Sequence, residues 1–173
     1  MFRISLLLLA SLGIASAQTK VAIININSAV LETAEIKKAQ ADLEAKFRPR
    51  QAQIEKLQKE IAGLQNQLQA GADKLTPQAQ QDLQLTGTRK QRELTRASED
   101  LQADVDRERN EVLQRTGQHM QEVVRKLSEE RGYDLVVDTT NAVFYKPTID
   151  ITKDAVAAYD KAYPAVVAAA PAK

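Results

Sequence analysis

Apolar and polar residues recur in different rhythms along this chain, and each rhythm predicts an element. Ile4 to Ile14 is a nearly unbroken apolar run behind Met1-Phe2-Arg3, followed by the small residues Ala15-Ser16-Ala17. That order predicts a secretory signal peptide over residues 1–17, cleaved before Gln18. The run is well short of the ~20 apolar residues of a spanning helix. Val21 to Asn27 is rich in β-branched residues and ends in turn formers, which predicts a buried strand. Ser28 is placed to cap a short helical turn over Ala29 to Glu32, and Thr33 to cap a new helix from Ala34. From there to about Gln69 the apolar residues Leu43, Phe47, Ile54, Leu57, Ile61, Leu64 and Leu68 recur at helical spacing, mostly in steps of three and four. That is the seam of a coiled coil. Pro49 is expected to bend or break this helix.

Gly71 to Pro77 ends the pattern, and Thr76-Pro77 restarts it as a cap residue followed by proline at the first helical position. A second helix is predicted from Gln78 to about Glu130. Its seam runs through Leu94, Leu101, Val105 and Val112, then shifts phase to Leu113, Met120 and Leu127, and Gly132 is placed to cap it. A short turn between two long helices predicts an antiparallel hairpin, an arm spanning 34–130 with its tip near 70–77. A helix of about 45 residues is roughly 65 Å long. With the turn centred near Lys74, facing residue numbers add to about 148, which sets Ile54 opposite Leu94. Gly63, Gly87 and Gly117 weaken the arm, each by up to ~1 kcal/mol against Ala.

Beyond Gly132 the rhythm becomes that of strands. Tyr133 to Asp138 and Ala142 to Lys146, linked by Thr139-Thr140-Asn141, predict a β-hairpin. Ile149 to Ile151 reads as an edge segment. Thr152 caps a last helix, Lys153 to Ala162, before an Ala/Pro-rich tail at 164–173. The fold class is α+β: a small β-rich body from 18–33 and 131–163, with the arm inserted between its two pieces. Body and tail together hold about 60 residues, too few for a comfortable core, so the body is expected to oligomerise. Ile23, Ile24, Val136, Val137, Val143 and Phe144, its longest β-branched and aromatic runs, are the candidate oligomerisation residues.

Composition sharpens this picture. Aromatic residues are 4% of the 173 and Gln occurs 17 times, a balance suited to long helices and not to an enzyme with a deep pocket. There is no Cys and one His, which removes disulfides, thiolate chemistry and a His-based metal cluster. No glycine pattern forms a phosphate-binding loop, so neither ATP use nor another cofactor is expected. His119 reads as a helix-surface histidine. Asp104, Asp106, Glu108 and Glu111 are interleaved with Arg107 and Arg109, as on a solvated helix face. The formal net charge is +1, and zero once residues 1–17 are removed, so nucleic acid is not an expected partner. Arg89, Lys90, Arg92 and Arg96 are the densest basic cluster and lie towards the arm tip. Two readings stay open for them: a contact for acidic clients or anionic lipid headgroups, or a solubilising face.

The order of these pieces carries a resemblance. The chain runs from Val21-Ala-Ile-Ile-Asn-Ile-Asn through a Gln/Lys-rich hairpin. Tyr133-Asp-Leu-Val-Val-Asp, Asn141-Ala-Val-Phe-Tyr and Asp150-Ile-Thr152 then follow. It resembles the Skp/OmpH family of periplasmic chaperones over essentially its whole mature length. The resemblance implies a jellyfish-like homotrimer, a β-rich body with three helical arms around a cavity. It also implies ATP-independent holdase activity on unfolded outer-membrane proteins. The chain departs from the family in charge, being neutral where family arms are often strongly basic. The competing reading is a structural or adaptor coiled-coil protein of the envelope. An adaptor would display an apolar patch at the tip, where Leu75 is the single large apolar residue.

Overall fold

The structure, a computed structural model, describes residues 19–71 and 74–165. The expected signal peptide at 1–17 lies outside the described residues, as does most of the tail, from 166 onward. Two long helices dominate. Helix α2 (Ala34–Ala70, 37 residues) and helix α3 (Pro77–Arg131, 55 residues) fold back on one another as the antiparallel hairpin. Their ends are set by the expected residues. The Thr33 hydroxyl accepts from Ile36 N, the Thr76 hydroxyl accepts from Ala79 N, and Pro77 opens α3. Gly132 ends α3 in the left-handed conformation, φ 65°, the one positive φ among the described residues, and Tyr133 N–H closes the cap on Ser128 O.

Pro49 does not break α2, which stays helical on both sides of it. Register is pinned by ion pairs across the seam. Lys46–Glu108 and Arg50–Asp104 face at numbers adding to 154, and Glu60–Lys90 and Glu35–Arg115 at 150. The hairpin is thus offset by a few residues from the expected 148. Phe47, Leu57 and Ile61 are buried in this seam. The Lys46 ammonium and the Arg50 guanidinium both lie over the Phe47 ring, 5.5 and 5.8 Å from its centroid. The phase shift past Val112 has a structural cause. There α3 runs on beyond the start of α2 and buries Thr116, Met120, Val123 and Leu127, the last three in the core of the body.

That body is built on a two-stranded parallel pair, β1 (Val21–Ile24) and β2 (Leu135–Asp138), in register Val21↔Leu135 to Ile24↔Asp138. Parallel strands need a long crossover, and here the crossover is the whole arm. On the other side of β1, Asp150 makes an isolated bridge to Ile23 and Ile151 N–H donates to Ile23 O at 2.9 Å, while Ile149 closes a 3-10 turn, so the expected edge segment shrinks to a single bridge. Helices α1 (Ile26–Glu32) and α4 (Thr152–Ala162) cover the pair, with Ala29, Ala155 and Tyr159 fully buried between them and α3.

Several expectations are corrected here. The first strand stops at Ile24 because Asn25, not Ser28, caps α1: its side chain accepts from Ser28 N. Thr152 is the first residue of α4 and not its cap. Its hydroxyl donates to Asp150 Oδ1 and accepts from Asn25 N–H, tying α4 to the end of β1. The β-hairpin after Gly132 does not form. A tight hairpin turn favours positive φ at its centre, and Thr139-Thr140-Asn141 instead makes a 3-10 turn closed by the Asp138 carboxylate on Thr140 N at 2.8 Å. Residues 142–146 are consequently not a strand, and Val143 and Phe144 are fully or largely exposed (107% and 83%).

Candidate functional site

Two places on the hairpin have geometry that bears on function: its root in the body, and its distal half. At the root, α4 clamps the start of α2. The Asp160 carboxylate accepts from Ala34 N–H at 2.9 Å, satisfying an otherwise unpaired donor of the first helical turn. Beside it Tyr159, fully buried, donates its hydroxyl to Glu35. The Arg115 guanidinium reaches the other Glu35 oxygen at 2.8 Å. Burial pushes the Glu35 carboxyl up, but the bonds from Tyr159 and Arg115, with the Arg115 charge, outweigh it and hold Glu35 below its ordinary range. Burial and the bond to Glu35 push the Tyr159 phenol up.

His119 belongs to this cluster. Its ring stacks on Tyr163 with centroids 4.1 Å apart and planes within 2°, and its Nδ1 lies 3.5 Å from the Tyr159 hydroxyl. Tyr163 in turn donates to Glu122 at 3.0 Å. The sequence places His119 on a helix surface and gives no sign of these partners. Tyr159 and Tyr163 are one helical turn apart near the end of α4, and only the docking of α4 on α3 brings them over the histidine. The cluster ties the end of α4 to both arm helices where they leave the body.

Towards the tip an open groove of about 830 Å³ lies between the two helices, floored by Ile61, Leu64, Leu68 and Leu83 with Gly87. The four basic candidates do not act as one patch. The Lys90 ammonium is 2.5 Å from Glu60 across the hairpin, a bond that raises the one group and lowers the other. Arg92 and Arg96 line the groove, and Arg89 is exposed outside it. The oligomerisation candidates also separate. Ile23 and Ile24 are buried within the protomer at 3% exposure. Val136 and Val137 are half-buried beside them, in register with Ala22 and Ile23. Val143 and Phe144 stand out in solvent. Among the described residues, no group of three or more His, Cys, Asp or Glu could hold a metal ion, and no helix is long and apolar enough to cross a membrane.

Comparison with known proteins agrees with this architecture. The family described as Outer membrane protein (OmpH-like) matches residues 20–159. A Skp-like protein of Pseudomonas aeruginosa is 25% identical over 142 residues, covering 82% of this chain and 84% of its own. The chaperone protein Skp of Pectobacterium atrosepticum is 22% identical over 152 residues, covering 86% and 90%. A solved OmpH-like candidate outer membrane chaperone of Caulobacter crescentus superposes with a TM-score of 0.72 at 19% identity, over 87% of this chain and 89% of that one. With a family match running from the residue before β1 to Tyr159 at the root clamp, the chain belongs to the OmpH-like outer membrane protein family.

Proposed function

We propose that this protein is an ATP-independent holdase chaperone of the periplasm, a homotrimer whose arms enclose unfolded outer-membrane proteins and keep them from aggregating. It is not an enzyme. The observation that carries the reading is a long two-helix arm on a small body, clamped at its root and carrying in its distal half an open groove with an apolar floor. Such an arm presents many weak contacts at once, and multivalency turns them into useful avidity without any dominant residue. Membership of the OmpH-like family and relatives named Skp support the chaperone assignment.

The trimer is supported by what the protomer leaves uncovered. Val143 and Phe144 are accompanied by Leu135 (52%), Leu31 (50%) and Val21 (37%), a large apolar display for so small a body. The outer edge of β2 has no neighbouring strand among the described residues, and such an edge is a template for pairing with another chain. In this reading Val143 and Phe144 are interface residues, while Ile23, Ile24, Val136 and Val137 build the sheet beneath them. Contact of Arg89, Arg92 and Arg96 with an anionic membrane surface is secondary and weak, since the mature chain is neutral.

The test is to dilute a denatured outer-membrane β-barrel from urea with and without the protein, in the absence of nucleotide, and follow light scattering. Suppression is expected at one trimer per barrel. Undiminished scattering at that ratio removes the holdase assignment.

A further inference from the structure

The groove in the distal arm has a cause in the heptad. On α3 the half-buried positions there are Leu83, Gly87, Lys90 and Leu94, in steps of four and three. Two of the four supply no apolar knob: Gly87 has no side chain, and Lys90 is engaged with Glu60. A Cβ added at Gly87 would meet nothing within 4 Å. Leu64 and Leu68 on α2, with the buried Ile61 at the near end, therefore line a gap where a continuous coiled coil would place leucines. Its volume, about 830 Å³, falls within the ~300–1,000 Å³ of sites that take ligands.

The walls say what would fill it. Gln65 on α2, with Gln84 and Gln91 on α3, line the gap; Thr88 and Thr95 line it too, but their hydroxyls donate to Gln84 O and Gln91 O of their own helix. The side-chain amides beside an apolar floor suit an unpaired polypeptide backbone and have no use for a lipid chain. Arg92 and Arg96, one turn apart, give the groove its charge, and neither is in an ion pair among the described residues. Glu99 is the one carboxylate lining it and forms no ion pair with Arg96. The groove is thus apolar below, hydrogen-bonding on its sides and cationic along one edge.

We infer that the distal groove of each arm is a docking site for short segments of unfolded polypeptide in which apolar residues stand beside an aspartate or glutamate. The apolar residues enter the gap left by Gly87, and the carboxylate meets Arg92 and Arg96. This rests on the holdase reading and locates its contacts between the helices of one arm, where each arm holds a segment by itself.

The test measures fluorescence anisotropy of a short fluorescein-labelled peptide of Leu, Gln and Asp added to the full-length protein. Gly87→Leu fills the gap while improving helix propensity, so it leaves the arm folded, which circular dichroism checks. It is expected to weaken peptide binding about tenfold or more, since it takes the place of a buried apolar side chain. Arg92→Gln with Arg96→Gln is expected to weaken binding and flatten its salt dependence, and a peptide with Lys for Asp to bind poorly to the parent protein. Equal binding by Gly87→Leu and the parent overturns the inference. So does self-association of the parent that Gly87→Leu abolishes, which would assign the groove to a second copy of this chain. If the parent binds peptide, Gly87→Leu does not, and the parent still fails to protect a β-barrel, the groove stands and the holdase reading falls.

Discussion

The Tyr159 hydroxyl on α4 donates to the Glu35 carboxylate in the first turn of α2, across 124 positions of sequence. This bond and the neighbouring one from Ala34 N–H to Asp160 are what join the arm's first helix to the body's last. Tyr159→Phe keeps the buried ring and deletes only the donor. A hydrogen bond to a charged group contributes roughly 1.5–3 kcal/mol, so the variant is expected to lose about that much stability, read as a lower urea midpoint with its slope unchanged. Equal midpoints for the variant and the parent would show that the joint contributes nothing.

The same pair sets a pH dependence with a definite sign. The folded Glu35 carboxyl lies below its ordinary 4.5, so its contribution is complete above that value and is lost as pH falls through the folded one. Tyr159 is raised above 10.0. Its contribution is complete below pH 10.0 and is lost as pH climbs from there towards the folded value. Urea unfolding across pH should show the destabilisation by Glu35→Gln largest near neutrality and shrinking below about pH 4.5. A difference that is flat through the acid range would contradict this.

Assembly and protomer folding are separable by site. Ile24 is buried inside the protomer, so Ile24→Asp should unfold the body outright, a penalty of several kcal/mol for an unpaired buried charge. Val143→Ser with Phe144→Ser touches only exposed side chains. Sedimentation should find this double variant folded and monomeric. A trimer that survives it would move the interface elsewhere.

Shortening the arm must respect the observed register. Near Arg50–Asp104 facing numbers add to 154 and near Glu60–Lys90 to 150, so excision of residues 55–97 with a short Gly/Ser turn joins facing positions. The body and root clamp stay whole. Light scattering should report the parent oligomer mass, and aggregation of an unfolded barrel should proceed as if no chaperone were present. Full protection would place client binding on the body.

Much of this hairpin is legible in the sequence because its boundaries depend on local chemistry. Thr33, Thr76, Pro77 and Gly132 act on backbone groups within a few residues of themselves, and the structure uses each as expected. What was not legible depends on distant partners. Ala142 to Lys146 has strand composition but no partner strand among the described residues. The neighbours of His119 arrive from α4, forty and forty-four positions along the chain. The distal groove lay between these cases. Gly87 reads in sequence as a weak point of one helix, and only the register with α2 turns it into a gap opposite Ile61 and Leu64.

Pro49 offers a further check on the arm. It lacks the N–H that would bond Ala45 O, yet α2 continues through it. Pro49→Ala should restore that bond and stabilise the arm by up to ~3 kcal/mol, read as slower amide exchange in α2. Unchanged exchange would mean that the seam at Phe47 already holds this stretch.

The parallel register of β1 with β2 also governs the order in which the molecule can be made. Lys20 and Asp134 are 114 positions apart, yet Lys20 N–H donates to the Asp134 carboxylate at 2.6 Å and Asp134 N–H to Lys20 O at 2.9 Å. Closing so long a loop in a disordered chain costs about 4 kcal/mol of entropy. A zipped hairpin has already closed most of it, because once Glu35 sits beside Arg115 only the last turns of α3 remain between the arm and β2. On a chain synthesised from its N-terminus, β1 waits without a partner until α3 has been made and folded back along α2. Zippering of the hairpin is then the step that commits the body to form.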